Sequence, residues 1–217
     1  MSRQSPRAVF SRIYKQAQWG TVGGERYSSG WGSHDPSVLG PYIAAVNSFL
    51  QATFPELPDV VDLGCGDFNV GARIRPACRR YIACDVVPEL IEHNRDRFAA
   101  LDVDFRCIDM VSESWPEGQI VFIRQVLQHL SNDQIQRIIP KLASFDYVLI
   151  TEHLPLCEGF TPNIDKGPGV GVRASRIEPS AVVLTEPPFS LQPVSQRLIC
   201  AVSTKWGRIQ TIAYRLC

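Results

Sequence analysis

The sequence predicts an α/β protein with a mostly parallel sheet, and three observations carry that expectation. Short apolar or β-branched runs alternate with stretches of helical spacing through the centre of the chain. Several of those runs present an aspartate at or beside their carboxyl end, and in the first of them glycines follow at once. The last two runs are separated by Lys205-Trp206-Gly207-Arg208, a spacing that fits a hairpin, so one late strand should run antiparallel to its neighbours.

The elements follow in order. Ala8, Val9, Ile13, Tyr14 and Ala17 fall at near-helical spacing over residues 7–18. Residues 19–33 are rich in glycine, serine and aromatics and read as a loop. Asp35-Pro36 has the form of a helix start, Asp as cap and Pro in the first turn, and Pro55 and Pro58 close that helix. Strands are expected at 60–63, 81–84, 103–108, 120–123 and 147–151, with helices at 70–75, 88–100 and after a Ser131 cap through Ile135, Ile138 and Ile139. Residues 153–193 form a Pro- and Gly-rich segment longer than ordinary connections, which suggests a functional lid or insertion. Strands at 198–204 and 209–216 complete the hairpin. The 217 residues suit one such domain, with 1–34 as a cap segment in front of a domain at 35–217.

Composition narrows the function classes. Lys plus Arg and Asp plus Glu each number 22, so the formal net charge is zero and no bulk attraction to nucleic acid or anionic membrane is expected. The seven cysteines, Cys65, Cys78, Cys84, Cys107, Cys157, Cys200 and Cys217, include no CxxC pair and mostly sit in apolar stretches, which points to reduced, buried thiols in a reducing compartment. With no secretory signal pattern and no uncharged span, the expected location is cytoplasmic. Neither HExxH nor a Cys/His cluster is present in the sequence, so no metal is expected.

The chemistry concentrates at the strand ends. Val60-Val61-Asp62-Leu63-Gly64-Cys65-Gly66-Asp67 delivers an acid and then GxG, where glycines let the backbone turn sharply and approach a ligand. Asp85 ends the next strand, about 20 residues beyond, where nucleotide-binding folds hold ribose hydroxyls on a carboxylate. Asp109 ends the third, with Met110 beside it, placed to meet the amine and ring of an adenine. Each acid alone is also compatible with a turn or cap. Three at successive strand ends are harder to explain that way.

Residues 60–66, 81–85, 103–110 and 120–130 together resemble the ordered motifs of the class I methyltransferases that use S-adenosylmethionine (SAM). The resemblance implies a Rossmann-like three-layer sandwich around a seven-stranded, mostly parallel sheet with a carboxyl-terminal antiparallel hairpin. It places Asp62, Gly64, Cys65 and Gly66 around the methionine end of SAM, Asp85 and Val86 at the ribose, and Asp109 and Met110 at the adenine. Arg124 and Gln125 would line the site near the methionine carboxylate or the methyl, although Arg124 departs from the small or polar residue often found there and also fits an ordinary helix start. A nicotinamide-dependent oxidoreductase is the competitor, but its G-x-G-x-x-G needs a third glycine where Asn69 stands, and Asp67 would repel a pyrophosphate.

For a general base the chain offers His129 and His153 at the ends of the fourth and fifth strands, with packing or capping as the alternative for His129. His93 belongs to a solvated helix face, and His34, Tyr27 and Trp31 to a segment able to fold over the cofactor. Asn163, Asp165, Lys166, Arg173 and Arg176 form a polar set in the long segment, suited to a sugar or a phosphorylated or secondary metabolite. The expected activity is therefore methyl transfer from SAM to oxygen or nitrogen of a small polar acceptor, releasing S-adenosylhomocysteine (SAH). A SAM-binding regulator or assembly partner without catalysis is the other class, and the choice between monomer and homodimer stays open.

Overall fold

The computed structural model describes residues 5–157, 159–174 and 178–217. Arg176 of the polar set lies outside them. In the amino-terminal part, helix α1 (Pro6–Lys15) starts where Ser5 Oγ accepts the Ala8 N–H, and α2 (Pro36–Thr53) where Asp35 accepts that of Ser37. Both ends thus satisfy amides that a helix leaves unpaired.

From there strands and helices alternate: β1 (Asp59–Leu63), α3 (Gly71–Ile74), β2 (Arg80–Asp85), α4 (Pro88–Arg97), β3 (Asp104–Cys107), β4 (Ile120–Arg124), α5 (Asn132–Leu142), β5 (Tyr147–Leu154), β6 (Ser195–Thr204) and β7 (Gly207–Arg215). Helix α5 opens with a reciprocal capping box between Ser131 and Gln134. The seven strands form one sheet in the order β3-β2-β1-β4-β5-β7-β6, parallel from β3 to β5 and antiparallel through the final hairpin. The strand order reverses between β1 and β4, and their carboxyl ends open the crevice in which such sheets bind ligands.

Alternation along the strands divides the core in two. Val61, Leu63, Ile82, Val121, Ile123 and Val148 pack on one face with α1 and α5, and Val60, Tyr81, Ala83, Ile120, Phe122 and Leu149 on the other with α2. The expected three-layer architecture is therefore the observed one. Residues 155–194 carry no regular helix or strand among those described, yet they bury Ala181, Val182, Leu184 and Phe189.

Two expectations need correction. His93 is not on a solvated face: its Nε2 is buried and its ring packs edge-on to Tyr27 at 5.2 Å. The cysteines are free, as expected, but Cys157 and Cys217 are exposed rather than buried. Among the described residues, no helix is long and apolar enough to cross a membrane.

Candidate active site

The end of β1 turns on itself. Gly64 adopts φ +80°, and its N–H and that of Cys65 both donate to the Cys84 carbonyl, at 2.8 and 2.9 Å. A Cβ on Gly64 would lie 2.4 Å from Val126 Cγ2, so conformation and space both demand glycine there. Two residues further, the Gly66 N–H donates to Asp85 Oδ2 and the Val87 N–H to Asp85 Oδ1, each at 3.1 Å, while Asn94 Nδ2 donates to the Gly66 carbonyl at 2.7 Å. The glycine turn and the end of β2 are thus locked together through one carboxylate.

These acids are buried, and burial raises their pKa values. Asp62 is pushed up to about 7 by desolvation, against the pull of the Tyr81 hydroxyl that donates to its Oδ2 at 2.9 Å. Asp85 is pushed up to about 6 against its backbone donors. Asp109 is half-buried and caps its own turn, accepting from the Val111 N–H at 2.9 Å and the Ser112 hydroxyl at 2.8 Å. Its turn role and a ligand role are compatible, because each carboxylate oxygen accepts more than one hydrogen bond.

A roof from the amino-terminal segment covers this edge. Asp67 Oδ2 accepts the Ser29 N–H and His34 Nε2–H, both at 2.7 Å, and the Asp67 N–H returns to Ser29 Oγ at 2.8 Å. Tyr14 Oη lies 3.0 Å from the same Ser29 hydroxyl. A Cβ on Gly66 would meet Ser29 Oγ at 2.2 Å, so the second glycine is set by the roof as well as by its φ of +57°. Arg124 joins the same structure: its guanidinium donates to the Gly32 carbonyl at 2.7 Å and to Ser33 Oγ at 3.2 Å, and stacks over the Tyr42 ring at 4.8 Å. Arg124 is therefore a strut for the roof rather than an ordinary helix-start residue.

On the other side the long segment is hung from β4 and β5. Glu152, fully buried, accepts the N–H groups of Leu127 and Gln128, and burial pushes its pKa up to about 8. His129 Nδ1–H donates to the Gly169 carbonyl at 3.0 Å, and the Gly169 N–H donates back to the His129 carbonyl at 3.0 Å. Its ring packs on Trp19 at 5.3 Å, and desolvation lowers its pKa to about 4. Arg173 is buried and donates to the carbonyls of Ile164 and Leu130. Asn163 is spent on Val183, Glu186 and Pro187. Asn163 and Arg173 thus tie the segment down instead of facing a ligand, because buried donors demand acceptors and the nearest are backbone carbonyls.

All twelve expected site residues, Asp62, Gly64, Cys65, Gly66, Asp85, Val86, Asp109, Met110, Arg124, Gln125, His129 and His153, line a single cleft of about 480 Å³. Tyr14, Trp19, Ser29 and Trp206 line it too, and none of them had been singled out as a site residue. Asp67 had been weighed only for the charge it presents to a phosphate. Gln125, at φ +55°, is the non-glycine residue at the end of β4 that turns the chain into the cleft wall.

Residues 60–145 match a family model described as a methyltransferase domain. The N-methyltransferase NodS from Bradyrhizobium japonicum WM9, solved with SAH, superposes with a TM-score of 0.66 at 13% identity, over 95% of this chain and 98% of that one. Magnesium protoporphyrin IX methyltransferase (ChlM) from Synechocystis PCC 6803, solved with SAM, superposes with a TM-score of 0.63 at 13% identity, over the whole of both chains. The central part of the chain thus matches a methyltransferase domain, and its fold is that of two methyltransferases solved with SAH or SAM.

A structure described as a DhpI-SAH complex is similar to this chain as well, with a TM-score of 0.60, 16% identity and coverage of 98% and 99%. At such identities the superpositions speak for the fold alone. No curated protein matches the chain at a significant level. The methyltransferase match spans β1 to α5 and so includes the glycine turn, Asp85 and Asp109. The roof and the hung segment, which give this cleft its remaining walls, lie outside it.

Proposed function

We propose that this protein is a methyltransferase that moves the methyl group of SAM to an oxygen or nitrogen of a small-molecule acceptor. The observation that carries the reading is that Asp62, Asp85 and Asp109, from three strand ends, share one cleft with the Gly64 turn. Three carboxylates around one cleft suit a ligand with an ammonium, a ribose diol and an exocyclic amine, and the absence of a third glycine at Asn69 speaks against a dinucleotide.

The donor set fits SAM. Asp85 would hold the ribose with Val86 alongside, Asp109 and the Met110 backbone the adenine, and Asp62 with the Gly64–Gly66 turn the amino-acid end. Bound SAM supplies an electrophilic methyl carried on a sulfonium. The protein's share of the work is positioning and exclusion of water. Tyr14, Ser29 and Trp19 close the cleft from above, so residues 6–34 act as its roof. His153 lines the acceptor side; burial lowers its pKa, which keeps the imidazole neutral and able to take a proton from an acceptor hydroxyl. His129 is a weaker base, since its Nδ1–H is committed to Gly169 and its pKa is about 4.

Calorimetric titration with SAM, SAH and NAD tests the donor half. Binding of SAM and SAH with no heat from NAD is expected; the reverse pattern ends the proposal.

A further inference from the structure

Beyond the acids the same cleft changes character. Trp31 and Trp206 are 41% and 50% exposed and meet edge to face, with ring centroids 5.5 Å apart. Val170 and Val172 on the hung segment are each 41% exposed, and all four line the cleft together with Ile209. Large exposed apolar side chains scattered singly need no explanation, but four converging on one concavity mark a binding surface. Among the described residues that line the cleft, Arg124 is the single lysine or arginine, and its guanidinium is already held by Gly32, Ser33 and Tyr42. Asp85 ends β2 and Asp109 follows β3, at one edge of the sheet, whereas Trp206 belongs to the β6–β7 turn at the other. Lys205, beside the cleft, is drawn over the Trp206 ring, so an anionic acceptor would compete with that contact for its ammonium.

His153 completes the geometry. Its Nε2 is buried without a partner against Gly207, where an added Cβ would sit 2.5 Å away, while the residue lines the cleft. Nδ1 is therefore the ring nitrogen left to serve the acceptor. Lys205 stacks on the Trp206 ring at 4.2 Å, which fixes that ring and leaves its remaining surface for a ligand.

We propose that this end of the cleft is the acceptor subsite, and that it takes a planar aromatic molecule seated against Trp31 and Trp206 with its nucleophilic hydroxyl or amine turned toward His153. The proposal rests on the methyl-transfer reading and replaces the sugar or phosphorylated acceptor suggested by the polar set, of whose members Asn163 and Arg173 are buried and spent on backbone carbonyls.

The test uses the full-length protein saturated with SAH, with 2-naphthol as probe and glucose 6-phosphate as rival, by calorimetry. SAH affinity is measured first on wild type, Trp31→Ala and Trp206→Ala; failure of SAH to bind any of the three overturns the methyl-transfer reading, and the subsite with it. With SAH bound equally, 2-naphthol is expected to bind wild type and to lose about tenfold in affinity in each variant, the scale of a lost aromatic contact. Glucose 6-phosphate is expected to give no heat. The subsite assignment is overturned, with the donor reading intact, if 2-naphthol does not bind, if it binds both variants as tightly as wild type, or if glucose 6-phosphate binds in its place.

Discussion

Asp85 reaches back 19 residues to take the Gly66 N–H on Oδ2 at 3.1 Å, while its Oδ1 holds the Val87 N–H. The residue that would grip the ribose is thus the residue that shapes the glycine turn. Replacing it with Asn keeps the size but turns one acceptor into a donor facing an N–H. Loss of one charge-assisted contact amounts to about 1.5–3 kcal/mol, so SAH affinity is expected to fall by about ten- to a hundredfold in Asp85→Asn. Unchanged affinity by calorimetry would remove Asp85 from the cofactor site.

Gly64→Ala meets two obstacles, a positive φ and Val126 Cγ2 at 2.4 Å from the new Cβ. The left-handed conformation alone costs about 1 kcal/mol for a non-glycine residue, and the overlap adds to it. Urea denaturation is expected to show a loss of about 2 kcal/mol or more. Adding Val126→Ala should recover part of that loss and no more, because it relieves the contact and leaves the φ. Full recovery would show that the backbone at Gly64 is relaxed.

The buried acids set a pH dependence whose sign is unusual for carboxylates. Folding raises Asp85 to about 6, Asp62 to about 7 and Glu152 to about 8, so the folded state holds protons that the unfolded chain has released near its ordinary values of 3.8 to 4.5. The stability linked to them is complete below that range and is lost as pH rises through the folded values. His129 and His153, both lowered, act oppositely: their contribution is complete above the ordinary 6.5 and shrinks as pH falls below it. Between about pH 6.5 and 8 the acids act alone, and the melting temperature of the unliganded protein should decline across that window. A melting temperature that climbs over the same interval would contradict the raised values of Asp62 and Glu152.

Much of the fold was legible because its signals are local. Asp35-Pro36 and Ser131 announce helices within one turn, and each strand-end acid follows directly from its own apolar run. The roof was not legible, since Ser29 and Asp67 are 38 positions apart and Arg124 reaches Ser33 across 91. No periodicity encodes such pairings. Polarity misled in the long segment for a related reason: Asn163 and Arg173 are hydrophilic and sit in a loop, which suggests solvent or ligand, yet the loop's own carbonyls needed donors and claimed them. His93 shows the same limit, its charged neighbours hiding the Tyr27 contact.

His129 separates a strut from a base. Asn in its place can offer Nδ2–H where the imidazole offers Nδ1–H, so His129→Asn is expected to keep the Gly169 contact and resist trypsin as wild type does. His129→Ala should release the segment and speed cleavage after Lys166, which is half-buried in the intact protein. Equal digestion of the two variants would show that the hydrogen bond does not hold the segment.

The inward turn of Asn163 and Arg173 has a consequence for how this protein changes over time. Because the anchors of the segment point away from the ligand, Val170 and Val172 are free to be exchanged without unfastening anything. At the sheet edge, by contrast, Asp85 and Asp109 also hold backbone N–H groups, so they resist replacement. If the proposed subsite selects the acceptor, changes at Val170 and Val172 would let selectivity drift while the scaffold stays as it is.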